Sequence, residues 1–265
     1  MEILGYIASA FIGISLGLIG GGGSILTVPV LVYLFGVDPL LATSYSLFVV
    51  GSTSLVGAYQ NWMNRSVNVK TVLSFGLSSV ATVFLIRKYL IPVIPEHLFR
   101  ISGFDITLNK ATMVLFALLM IAAAFSMVKE EQSGEPARSA HSENGLRLLL
   151  LGIGIGGATG LLGAGGGFLL VPVLVIVLGL PMKEAVGTSL MIIALNSLVG
   201  FAGDLKHFQV DWPFLLKMAA IAIAGLFIGA FLNTQIDGGN LKKGFGWFVL
   251  SIGAFILFKE MFMNN

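Results

Sequence analysis

The chain has 265 residues, of which 56% are hydrophobic and 11% charged, and its mean hydropathy is +0.95. Soluble domains carry about 25% charged residues, so the composition excludes a water-soluble globular domain and points to an integral membrane protein. A net charge of +2 without any basic block argues against nucleic acid as a partner, and the lack of cysteine excludes disulfides, thiolate metal sites and iron–sulfur clusters.

The N-terminus, Met1-Glu2-Ile3-Leu4, lacks the basic region and cleavage pattern of a secretory signal and reads as retained. The first apolar stretch runs from Ile3 to Phe35 and is interrupted by Gly20, Gly21, Gly22 and Gly23. Its length corresponds to about 50 Å of helix, too long for one straight crossing of a core of about 30 Å and short for two. After the turn signal Asp38-Pro39 come Leu40 to Tyr59, Val69 to Leu90 and Ala111 to Val128, each long enough to approach a crossing. The piece from Ile101 to Lys110 has no counterpart later and is expected at the membrane surface. Lys129 to Arg147, rich in Ser, Glu and Gly, is a solvated linker with no apolar face to pack. The second half then gives Leu146 to Leu180, interrupted between Gly163 and Gly167, followed by Ala185 to Ala202, Trp212 to Leu232 and Phe245 to Phe262.

The halves are copies. Gly13 to Gly57 aligns without a gap on Gly156 to Gly200, with about 20 identities in about 45 positions, so 143 added to a number in the first copy gives its counterpart. The expected fold is all-α: a polytopic transmembrane helical bundle of two tandem structural repeats with Gly-broken helices. The expected units are a first membrane repeat over 1–128, a linker over 129–147 and a second repeat over 148–265. If the broken segment dips in and returns, each half has three crossings and the repeats are inverted; if it crosses, each has four and they run parallel. Lysines and arginines are shared almost evenly between the two sets of loops and do not decide. Analogy with two-repeat transporters favours inversion.

Glycine costs helix stability, so a cluster inside an apolar stretch breaks the helix. Non-helical backbone survives in a membrane only where protein or a polar cavity satisfies it. The helix starting after each break would offer free N–H groups and the positive end of a dipole to an anion. Gly20, Gly21, Gly22 and Gly23 with Ser24 in the first copy, and Gly163, Gly165, Gly166 and Gly167 in the second, are therefore the candidate substrate-binding residues. Pro29 and Pro172 limit how far the following helix stays regular. The outer pairs Gly13/Gly17 and Gly156/Gly160 have the spacing of close helix packing. On the segments after the breaks, Ser44, Ser46, Thr188, Ser189 and Asn196 can coordinate an oxyanion without burying a full charge. A single Ser or Thr more often bonds its own helix, and Asn196 is divided between packing and substrate contact.

No Asp, Glu, Lys, Arg or His stands well inside an apolar stretch; Arg87, Lys88, Asp204, Lys206 and His207 sit where their spans end, and Asp204 and Lys206 read as solvated helix-end charges ahead of guards of a pathway mouth. His97, His141 and His207 are scattered, so no metal site is expected, and no catalytic constellation or cofactor motif occurs.

The repeated GLIGGGGSILTVPVL and GLLGAGGGFLLVPVL, with Ala42-Thr43-Ser44, Ala185-Val186-Gly187-Thr188-Ser189-Leu190 and the Ser-Leu-Val-Gly continuation, resemble the sulfite exporter TauE/SafE family, also called the toluene sulfonate uptake permeases. That resemblance covers nearly the whole chain. It implies movement of small sulfur-containing anions, such as sulfite or sulfonates, across a bacterial cytoplasmic membrane, with a small anion and the lipid bilayer as partners. The first copy departs at Thr43-Ser44-Tyr45-Ser46, where the second keeps Gly187-Thr188-Ser189. A coupling ion, proton or sodium, is compatible with this reading, and the sequence selects neither. Rival readings are a transporter of another solute and a non-transporting membrane scaffold.

Overall fold

Between Glu2 and Gly20 there is neither a charge nor a proline, and these residues form the first helix, α1 (Glu2–Ile19). In this computed structural model, which describes residues 2–95, 97–101, 104–129, 145–163, 166–207, 209–233 and 238–262, α1 ends where Gly20 turns into positive φ. A 3-10 turn, Gly21–Leu26, and helix α2 (Thr27–Tyr33) bring the chain back. Gly5 near the start of α1 lies against the Phe35 ring, and Tyr6 stacks edge-on to Phe35 at 5.4 Å, so α1 and α2 form a hairpin that returns to its starting face.

Asp38 accepts hydrogen bonds from Leu40 N–H (3.0 Å) and Leu41 N–H (3.4 Å), and Pro39 occupies the first turn, which together start α3 (Pro39–Met63). Its 25 residues reach about 37 Å at 1.5 Å per residue and carry the chain to the opposite face. We call the two ends of the bundle the Asp38 face and the Asn64 face. α4 (Val69–Val93) returns, capped by Asn68 accepting from Thr71 N–H at 3.0 Å. Strands β1 (His97–Ile101) and β2 (Phe104–Thr107) pair antiparallel, so the extra piece expected from Ile101 to Lys110 carries the second strand of a β-hairpin whose first strand lies just before it. α5 (Leu108–Lys129) closes the half, its Asn109 bonded to Asp38 at 2.7 Å. Most of the expected linker, residues 130–144, lies outside the described residues.

The second half comprises α6 (Gly145–Leu162), α7 (Gly167–Pro172) continuing into a π-helical Val173–Val177, α8 (Met182–Asp204), α9 (Trp212–Asn233) and α10 (Gly238–Phe262). Proline removes an N–H donor, and the ladder after Pro172 widens accordingly. Among the described residues, α3, α4, α6, α8 and α9 are long and apolar enough to cross a membrane; α1, the Gly23–Tyr33 segment and the Leu108–Ala122 part of α5 are shorter apolar helices.

Helices α3 and α8 form the centre, 67% buried over their apolar windows against 28% for α4 and 39% for α6 and α9. The outward faces of the others present Phe11, Leu77, Leu118, Leu150, Phe227 and Phe231, as a lipid-facing surface would. α3 and α8 cross closely because glycine makes room: Gly57 lies against Leu190 and Gly200 against Leu47.

The outer helices are exchanged between halves. Gly13 and Gly17 of α1 lie on the backbone of Ala222 and Leu226 in α9; Gly156 and Gly160 of α6 lie on Ser79, Val83 and Ile86 in α4. Each small-residue stripe lets two backbones touch, which is how helices associate without a hydrophobic drive. These contacts also fix direction: α1 runs alongside α9 from the Asp38 face, whereas α6 runs alongside α4 from the Asn64 face.

Candidate functional site

The two breaks have the same cap. Gly20 N–H donates to Leu16 C=O and Gly163 N–H to Thr159 C=O, both at 2.9 Å, and the two glycines have φ of 76° and 67°. An L side chain pays for that conformation. A Cβ on Gly20 would meet the Val186 side chain at 3.0 Å, and one on Gly163 would run into Thr43. Gly21 and Gly167 lie backbone to backbone, so the breaks touch each other. Gly23 abuts Ile12 and Leu16, and Gly166, also at positive φ (65°), abuts the Thr159 hydroxyl. Gly22 falls in the 3-10 turn, and Gly165 lies outside the described residues.

The helix starts differ from expectation in the first copy. There a 3-10 turn separates the break from α2, and the Ser24 hydroxyl donates to Gly21 C=O at 2.8 Å, so its proton already has an acceptor. In the second copy α7 starts directly after Gly166, whose carbonyl accepts from Leu169 and Leu170 N–H at 3.1 Å. The short pieces, seven residues in α2 and six in α7, have little dipole to offer. What the glycines chiefly provide is the close meeting of two breaks.

The polar residues of α3 and α8 separate into distinct jobs. Thr188 Oγ1 accepts from Asn68 N–H at 2.9 Å and anchors the α3–α4 turn, as Tyr45 Oη accepts from Asp211 N–H at 2.9 Å and anchors the α8–α9 turn. Ser189 donates to Val186 C=O of its own helix at 2.8 Å. Asn196 Nδ2 donates to Ser79 Oγ on α4 at 2.7 Å while its Oδ1 is buried without a partner. Such an interhelical bond contributes about 0.6 kcal/mol on average. Ser46, Ser54 and Ser197 are buried hydroxyls without partners. Ser44 faces the Asp204 carboxylate.

Asp204 and Arg87 correct the sequence reading. Neither is a solvated helix end: each is 1% exposed, and Arg87 Nη1 donates to Asp204 Oδ2 at 2.9 Å and to Thr43 Oγ1 at 3.0 Å. Arg87 Nε and Nη2 and Asp204 Oδ1 are buried without partners. Their nearness to the ends of apolar stretches hid them; the signal available was that the copies carry Ala230 and Asn61 at the equivalent positions. Lys206 is exposed, as read. At the other end of the bundle, a cavity of about 700 Å³ extends inward from exposed Asn64, Lys183 and Asn233 to Gly17, Gly57 and Leu226.

A profile of the sulfite exporter TauE/SafE family matches residues 6–257. The chain belongs to this family. Among its relatives, a probable membrane transporter protein of Xylella fastidiosa (strain 9a5c) is 26% identical over 256 residues, covering 96% of this chain and 94% of the relative. The probable membrane transporter protein YdhB of Bacillus subtilis (strain 168) is 28% identical over 247 residues, covering 93% and 96%. No solved structure matches. The TauE/SafE chain is thus a multi-pass membrane protein of a transporter family, and the apolar helices around α3 and α8 are its membrane body. Within it the broken helices meet beside α3 and α8, with the Arg87–Asp204 pair beyond Gly163 and the cavity beyond Gly20.

Proposed function

We propose that this protein carries small sulfur-containing oxyanions, of the sulfite or organosulfonate class, across a bacterial cytoplasmic membrane by alternating access. The observation that carries the reading is the contact of Gly21 with Gly167 between Gly20/Val186 on one side and Gly163/Thr43 on the other. Two interrupted helices meeting between the ends of a bundle, in segments running opposite ways, are the arrangement from which transporters build a central site. Backbone N–H groups at the glycine breaks would offer a small oxyanion hydrogen-bond partners without a fixed counter-charge. The family's name supplies the substrate class.

The test is flux. Purified protein in liposomes is offered sulfite, sulfate, thiosulfate, methanesulfonate and chloride, with and without a pH or sodium gradient. Saturable movement of a sulfur oxyanion with exclusion of chloride is the expected result; equal movement of all, or of none by folded protein, overturns the reading.

A further inference from the structure

We infer that Arg87 and Asp204 form the closed gate of the transport pathway at the Asp38 face, and that Arg87 takes the anion when this gate opens. The inference rests on the anion-transport reading above and adds the gate, its state and its ligand.

The molecule contains its own control. The 143-residue offset maps Arg87, Asp204 and Thr43 onto Ala230, Asn61 and Val186, and all three counterparts line the cavity at the Asn64 face. The mapping is spatial as well as sequential: Gly13 on Ala222 repeats as Gly156 on Ser79, and Gly20 on Val186 repeats as Gly163 on Thr43. Even the turn anchors repeat, Tyr45 with Asp211 and Thr188 with Asn68. The same place in the architecture is therefore an open cavity lined by uncharged Ala230, Asn61 and Val186 at one end and a buried ion pair at the other. These are the two halves of one pathway, open toward Asn64 and shut toward Asp38.

A buried ion pair is poor evidence of stabilisation, because desolvation offsets the attraction. The sister copy does without it, using alanine and asparagine. The pair is also incompletely satisfied, since Arg87 Nε and Nη2 are donors without acceptors and Asp204 Oδ1 is an acceptor without a donor. Nε and Nη2 form a planar fork suited to two oxygens of a sulfite or sulfonate. An oxyanion passing the glycine breaks takes this free fork, competes with Asp204 on Nη1 for the same guanidinium charge, and so loosens the ion pair and unlocks the face. With no anion present the pair re-forms and prevents leak. Ser44, Thr43 and His207 are the other polar groups around Asp204.

The chain has no cysteine, so single cysteines report access at either end. Leu226→Cys probes the cavity and Val83→Cys its counterpart beside the gate, each confirmed as folded by thermal melting in detergent. A membrane-impermeant thiol reagent is expected to label the Leu226→Cys protein at least tenfold faster than the Val83→Cys protein. Methanesulfonate, which spares thiols, should raise Val83→Cys labelling at least threefold. In an Arg87→Gln/Asp204→Asn background, which leaves no lone buried charge, Val83→Cys labelling should rise at least tenfold and no longer respond to the anion. KM for methanesulfonate should also rise at least tenfold there. Equal labelling of the two single-cysteine proteins overturns the gate, and an unchanged KM in the double variant overturns the role of Arg87 as ligand. If the parent chain moves no anion while the labelling asymmetry and its loss in the double variant remain, the anion reading falls with that role and the gate stands.

Discussion

At Gly163 a side chain faces two separate penalties, and residues elsewhere in the chain allow them to be told apart. Gly36 has φ of 69° with nothing within 4 Å of an added Cβ, whereas Gly163 has φ of 67° and Thr43 in the way. Alanine at positive φ costs about 1–2 kcal/mol at either position, but only at Gly163 does it also push the break off α3. Gly163→Ala is expected to lower flux at least tenfold in liposomes while Gly36→Ala keeps it; equal flux would mean that the break geometry has no part in transport. The glycine clusters were legible in the sequence because glycine is costly inside an apolar helix, so runs of it stand out. Arg87 and Asp204 were not, since a charge near the end of an apolar stretch reads as reaching for water, and only the packing of α3, α4 and α8 brings the two together. Asn196 was legible as a residue needing a partner, but not that the partner would be Ser79 on α4.

The helix pairs rest on which face of each glycine stripe meets a neighbour. In α6, Gly152, Gly156 and Gly160 touch α4, while Gly154 and Gly157 have nothing within 4 Å. Leucine at Gly156 would have to enter the Ser79 backbone, so Gly156→Leu is expected to cost about 1–3 kcal/mol or more, the range of overpacked cores. Gly157→Ala should leave the melting temperature in detergent unchanged or raised, because alanine is the better helix former. Matching losses in the two variants would refute the α4–α6 interface. Spacing of four identified Gly13/Gly17 and Gly156/Gly160 as packing surfaces. It held no information about the partner, because a stripe of small residues fits any helix that offers another one. Of the β-hairpin, the sequence marked only the second strand's stretch as an unmatched insertion, since five- and four-residue strands leave a weak alternation.

Over the whole molecule the two copies run in opposite senses while sharing their packing. α1 of the first half is held by α9 of the second, and α6 of the second by α4 of the first. The loops at Gly36 and Gly179 are sequence counterparts, yet Gly36 adjoins the Asp38 face and Gly179 leads into Met182 at the cavity of the Asn64 face. Accessible tags inserted after Gly36 and Gly179 should accordingly be reached by protease from opposite sides of the membrane. Access to both from one side would place the copies in parallel. Duplication could be read directly from the chain; the relative direction of the copies could not, because evenly shared lysines and arginines leave the orientation signal near zero.

The exchange of outer helices also has a consequence for how the protein is made. The stripe on α1 has to wait for Ala222 and Leu226, which leave the ribosome about two hundred residues later, roughly 10–40 s at ordinary rates of synthesis. The stripe on α6 finds α4 already in the bilayer. Until α9 arrives, the first hairpin has an unsealed glycine surface. Chains that stop short of it should be the ones recognised as unfinished and degraded.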